Sequence, residues 1–158
     1  MKTMWKMVGV VLLVATGAAV AQEGAPPPPA PTPEQQELIR QQDVQMSGAA
    51  LQVLQLVDAG SAGEVWVGLS QAVKPLVSQD DFVRQLAADR AQVGNVQSRG
   101  EAVVSRFKFE EGGDVPAGLY VSVAFPTRFA NMEQPVRELV SFRLDDDQVW
   151  RVSGYTLR

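Results

Sequence analysis

The chain has 158 residues, a net charge of −4, and neither histidine nor cysteine. Lacking histidine, it has no imidazole base, no imidazole metal ligand and no neutral-pH switch. Lacking cysteine, it has no disulfide and no thiolate site, so Ser-His and Cys-His nucleophiles are both excluded. The acidic balance, with ten arginines spread along the chain, gives no sequence signature of a nucleic-acid or anionic-membrane surface.

Met1 to Ala21 reads as an export signal. Lys2 and Lys6 make a basic start, Val8 to Val20 carries no charge, and Ala19-Val20-Ala21 supplies the small-x-small cleavage pattern. The apolar run is shorter than the roughly 20 residues a spanning helix needs, and no cysteine follows for lipid attachment. The expectation is cleavage after Ala21, release into a bacterial periplasm and no stable membrane insertion. Residues 22–33 follow as a Pro-rich linker, with EGAPPPPAPTP from Glu23 to Pro33. Proline fixes φ and donates no hydrogen bond, so this stretch suits extended polyproline helix, an about 30 Å spacer at about 3.1 Å per residue.

Residues 34–158 are long enough for one α+β domain. Thr32, Pro33 and Gln35 form a helix start with a capping box, and Leu38, Ile39, Met46, Ala49, Ala50, Val53, Leu54 and Val57 recur as one apolar face until Gly60. Ser61 and Glu64 open a second helix with Val65, Trp66, Leu69 and Val73 as its buried stripe, stopped by Pro75. Ser78 and Asp81 open a third, whose apolar face is Phe82, Leu86, Ala87 and Val93, ending at Gly94. The period then changes to two. Strands are predicted at Val103–Phe109, through Leu119–Phe125, through Val136–Leu144 and from Trp150, with a bulge at Gly154 that returns Tyr155 and Leu157 to the face of Trp150 and Val152. Asp145-Asp146-Asp147 reads as a solvated hairpin turn, without the ligand spacing of a calcium loop. No metal site and no cofactor motif is present in the sequence.

Glu138 stands out. Its strand face is otherwise Val136, Val140, Phe142 and Leu144, and a carboxylate there needs a charge or hydrogen-bond partner. Arg90 and Arg99 are the ion-pair candidates, and Tyr155 is a candidate partner through its hydroxyl. The catalytic alternative makes Glu138 a base and Tyr155 a proton donor. Trp66, Trp150, Tyr155 and Arg99 are the candidate residues for binding a small apolar ligand, although aromatics at such spacing are more often plain core.

The segment Gly118 to Arg158 contains a G-x-Y-V-x-V strand, a strand bearing a Glu, and the closing Trp150-Arg151-Val152-Ser153-Gly154-Tyr155. Together with Trp66, Arg90, Gly94 and Arg99, this pattern resembles the bacterial exported family of unknown function 4019 (DUF4019). The element order is similar to cystatin-like domains of the nuclear transport factor 2 type. That likeness implies three N-terminal helices followed by a curved four-stranded antiparallel sheet forming a cone, and a possible homodimer through the convex sheet face at Tyr120, Ser122, Ala124, Arg137 and Arg143. The family carries no established reaction. The expectation is a non-catalytic module binding an unknown small apolar ligand or a protein partner, against a small isomerase, dehydratase or hydrolase using Glu138 and Tyr155.

Overall fold

The computed structural model describes residues 30–158. The export signal and most of the Pro-rich stretch lie outside the described residues. Helix α1 (Pro33–Asp58) begins as predicted, with Thr32 and Gln35 exchanging both capping-box bonds. It ends at a left-handed Gly60, where the N–H groups of Gly60 and Ser61 close onto Val57 and Leu56. Met46, Ala50, Val53, Leu54 and Val57 are buried, but Leu38 (61 % exposed) and Ile39 are not. The first helix residues to bond the sheet are Ile39, Gln42 and Asp43, all to Arg106. The earlier turns have no sheet to bury against.

Helix α2 (Ala62–Val67) is much shorter than the sequence suggests. Ser61 makes no side-chain cap, and Gly68 closes the helix after six residues. Leu69 and Ser70 are drawn instead to the last strand, Trp150–Leu157, where the Ser70 N–H donates to the Val152 carbonyl at 2.7 Å. A 3-10 turn at Lys74–Leu76 replaces the expected last helical turns. Helix α3 (Gln79–Val93) is capped by Ser78, whose hydroxyl accepts from the Asp81 N–H, and ends at Gly94 with φ +78°.

The sheet has five strands rather than four. They are β1 (Val96–Arg99), β2 (Val103–Phe109), β3 (Gly118–Phe129), β4 (Val136–Leu144) and β5 (Trp150–Leu157), all antiparallel. β1 and β2 both pair with β3, end to end along one side of it, and β4 and β5 follow on the other. The break between β1 and β2 is at Gly100, whose N–H donates to the Pro126 carbonyl. A side chain there would lie 2.6 Å from the proline ring, so the crossing requires glycine. β1 carries no apolar alternation, which is why its sequence does not announce a strand.

The helix-facing rows are Val104–Val123–Val140–Tyr155 and Val121–Phe142–Val152. The register shift between Ser141–Gly154 and Phe142–Val152 is the bulge that puts Val152 and Tyr155 on the same face. Helices α1, α2 and α3 bury Leu54, Val65 and Leu86 against these rows. In β2 the predicted face partition holds, but the more apolar row faces away from the helices. Phe107 is 48 % and Phe109 38 % exposed, while Val104 packs on the core.

Candidate functional site

Glu138 lies on the helix side of the sheet between Phe125 and Leu157, its partners across the ladders to β3 and β5. It is 0 % exposed, and every group that touches its carboxylate is a donor. Arg99 Nε donates to Oε2 at 2.7 Å and Arg99 Nη2 to Oε1 at 3.2 Å. Arg90 Nη1 donates to Oε1 at 3.1 Å, Tyr155 OH to the same oxygen at 3.0 Å, and Thr127 Oγ1 to Oε2 at 2.9 Å. Five donors on two oxygens occupy all of the carboxylate's roughly four lone-pair sites.

The two arginines share a second acid. Asp58 accepts from Arg90 Nη2 at 3.0 Å and from Arg99 Nη1 and Nη2 at 2.7 and 2.9 Å. Two cations and two anions therefore form a neutral cluster that ties the ends of α1 and α3 to β1, β3, β4 and β5. Asp58 is the last residue of α1, where a negative charge opposes the helix dipole. The guanidinium groups supply the compensation. Arg90 also stacks over the ring of fully buried Phe129, 4.9 Å from its centroid.

Tyr155 is half-buried beside this charge. Burial, reinforced by the negative charge of Glu138 and opposed by Arg90, pushes its phenol well above its ordinary value. It is held as a neutral donor. The three aromatic candidates do not converge. Trp66 donates its indole N–H to the Val77 carbonyl at 3.1 Å with Lys74 over its ring, and Trp66, Trp150 and Tyr155 each pack onto the main core. Arg99 joins Tyr155 at Glu138; Trp66 and Trp150 take no part in that cluster.

A second buried acid is Asp145, where the sequence suggested only a solvated turn. Ser70 Oγ donates to it at 2.5 Å, the Gln71 N–H at 3.0 Å, Arg143 Nη1 at 2.9 Å and Arg151 Nη1 at 3.1 Å. Burial by itself would raise its carboxyl, but these four donors outweigh burial and hold it below the usual carboxylate value. Asp146, Asp147 and Gln148 do form the exposed turn, with the Gln148 N–H donating to the Asp145 carbonyl and Gln148 at φ +62°.

The outer face of the sheet carries a groove of about 370 Å³. Phe107, Phe109 and Tyr120 stand at one end, with Phe109 edge-on to Tyr120 at 5.1 Å. Leu139 and Gly154 lie along the floor, and Arg137 and Arg158 stand at the other end. The signal for this site was the apolar row of β2, and the sequence does not say which way that row points.

A family model described as "Protein of unknown function (DUF4019)" matches residues 49–155, which span α1 from its middle turns, the remaining helices and the sheet as far as Tyr155 in β5. The chain belongs to the DUF4019 family. The DUF4019 match encloses Asp58, Arg90, Arg99, Glu138 and Tyr155, the residues of the cluster around Glu138. No curated protein and no solved structure matches the chain.

Proposed function

We propose that this DUF4019 protein is an exported, periplasmic, non-catalytic binding module. Its interior is a scaffold, and its ligand docks on the outer face of the sheet. The observation that carries this reading is the saturation of Glu138: a fully buried carboxylate with five donors has no free lone pair and no open side to offer a substrate. The polar chemistry of the chain is spent inside, whereas the exposed phenylalanines of β2 border an open groove. Among the described residues no helix is long and apolar enough to cross a membrane.

The alternative is a small isomerase, dehydratase or hydrolase with Glu138 as base and Tyr155 as proton donor. It requires Arg90 and Arg99 to leave the carboxylate, and a phenol held above its ordinary value is a poor acid at neutral pH. A native mass spectrum of the protein purified from the exported fraction separates the two. Wild type should carry a bound species that Phe107→Ser loses. A species retained by Phe107→Ser and lost from Glu138→Gln, with the fold intact, would instead place binding in the interior and overturn the outer-face reading.

A further inference from the structure

The ten arginines look dispersed in the sequence, but the sheet gathers three of them. Arg137 and Arg158 are directly opposed, exchanging backbone bonds at 2.8 and 3.0 Å. Both side chains border the outer groove and both residues are exposed. Arg128, also exposed, lies on the same face of β3, two residues beyond Pro126, which pairs with Arg137. Among the described residues none of the three makes an ion pair or a side-chain hydrogen bond, although the other arginines all do. Like charges directly opposed across a ladder are destabilising. A guanidinium pair at that spacing can clamp one bidentate anion.

The rest of the groove makes the opposite demand. Three of its hydroxyls are already engaged: Tyr120 OH donates to the Pro116 carbonyl at 2.7 Å, and Ser122 and Ser141 bond each other at 2.8 Å. The backbone of β3 and β4 is committed to the sheet on both sides. From the Pro126–Arg137 row to the Tyr120–Phe107 row is six residues of β3, about 20 Å at the usual strand rise. A peptide laid over β3 and β4, inside the free edge of β5, would leave its amides unpaired, which is costly. A hydrocarbon chain would not.

We propose, building on the outer-face reading, that the groove binds a free acyl carboxylate. The carboxylate sits between Arg137 and Arg158, and the chain runs over Leu139 toward Phe107 and Phe109. Charge complementarity disfavours a second copy through this face, because a twofold contact centred on the arginine pair would set like charges against like.

The test is a calorimetric titration of the purified protein with dodecanoate below its micelle concentration, with dodecyltrimethylammonium as the chain-matched cation. Saturable binding of dodecanoate at least tenfold tighter than the cation is expected. Arg137→Gln/Arg158→Gln should weaken it at least tenfold, and Arg137→Lys should retain part of it. Dodecanoate should raise the melting temperature of wild type but not of the double variant, whose own melting temperature should not fall once the like-charge pair is gone. Equal binding of the cation, no saturable binding, or undiminished binding by the folded double variant would overturn the assignment. Binding to anionic vesicles but not to dodecanoate would overturn it in favour of a membrane surface. If dodecanoate fails while Phe107→Ser still strips a bound species in the native spectrum, the acyl assignment falls and the outer-face reading stands; if both fail, both fall.

Discussion

Replacing Glu138 by glutamine preserves its shape and removes one charge from a neutral cluster of four. All five groups around the carboxylate are donors, whereas a glutamine amide offers one acceptor oxygen and one donor nitrogen. If the nitrogen takes the Oε2 position it meets Arg99 Nε and Thr127. In the Oε1 position it meets Arg90, Arg99 and Tyr155. The hydroxyls can turn to accept, but the guanidinium groups cannot. Two arginines would then share Asp58 alone, which is partly exposed. Removing one partner from a buried ion pair costs about 3–5 kcal/mol, a large part of the roughly 5–15 kcal/mol that holds a domain folded. At about 3–4 °C per kcal/mol for a domain of this size, the melting temperature should fall by about 10–20 °C. Urea denaturation at pH 7 measures the loss directly, with the slope confirming that the same surface unfolds. A loss below about 1 kcal/mol would refute the scaffold role of Glu138 and revive the catalytic one.

Three further outcomes follow from other positions. The Asp145 carboxyl is held below its ordinary value in the fold, so its contribution is present above the unfolded carboxyl's range near 3.8 and is lost as pH falls through the lower folded value. Asp145→Asn should therefore be less stable at neutral pH, and urea midpoints across an acid series should show the gap to wild type closing below about pH 4. Tyr155 is shifted the other way, so the unfolded phenol ionises first. Stability should fall as pH rises above about 10, and Tyr155→Phe should lose part of that slope, the remainder including Tyr120, which is also raised. Gln148 occupies left-handed backbone at φ +62° in the β4–β5 turn, where glycine avoids a steric cost of about 1 kcal/mol. Gln148→Gly should raise the urea midpoint by up to that amount, and a drop would mean the glutamine side chain has a contact that stabilises the turn.

Local chemistry alone determined much of this protein. The Thr32 and Ser78 caps, the glycine stops at Gly60 and Gly94 and the period-two rows of β3, β4 and β5 need only neighbours along the chain, so their positions could be read before folding; the cap expected at Ser61 does not form. The bulge at Gly154 was legible because the apolar row of β5 changes parity there. Glu138 was legible too, since a carboxylate in an apolar row demands a partner, and Arg90, Arg99 and Tyr155 were within the choices the sequence left open. Asp58 was not singled out, although an acid at a helix C-terminus is a local signal that asks for a cationic partner.

The tertiary structure decided the rest, because it depends on residues far apart in sequence. Helix α2 yields after Val67 because Ser70 is drawn to Val152 and Asp145, the nearer of them 75 residues away, which no local propensity contains. β1 is a strand only because β3 offers it an edge. The row of Phe107 and Phe109 faces outward because Val104 and Arg106 meet α1, a choice that alternation leaves undetermined. Charge shows the difference most clearly. Net charge and even spacing are properties of the chain, but whether arginines repel, pair or gather depends on which strands lie side by side. The fold neutralises Arg90 and Arg99 with buried Glu138 and partly exposed Asp58 and leaves Arg137 and Arg158 facing each other, open to solvent.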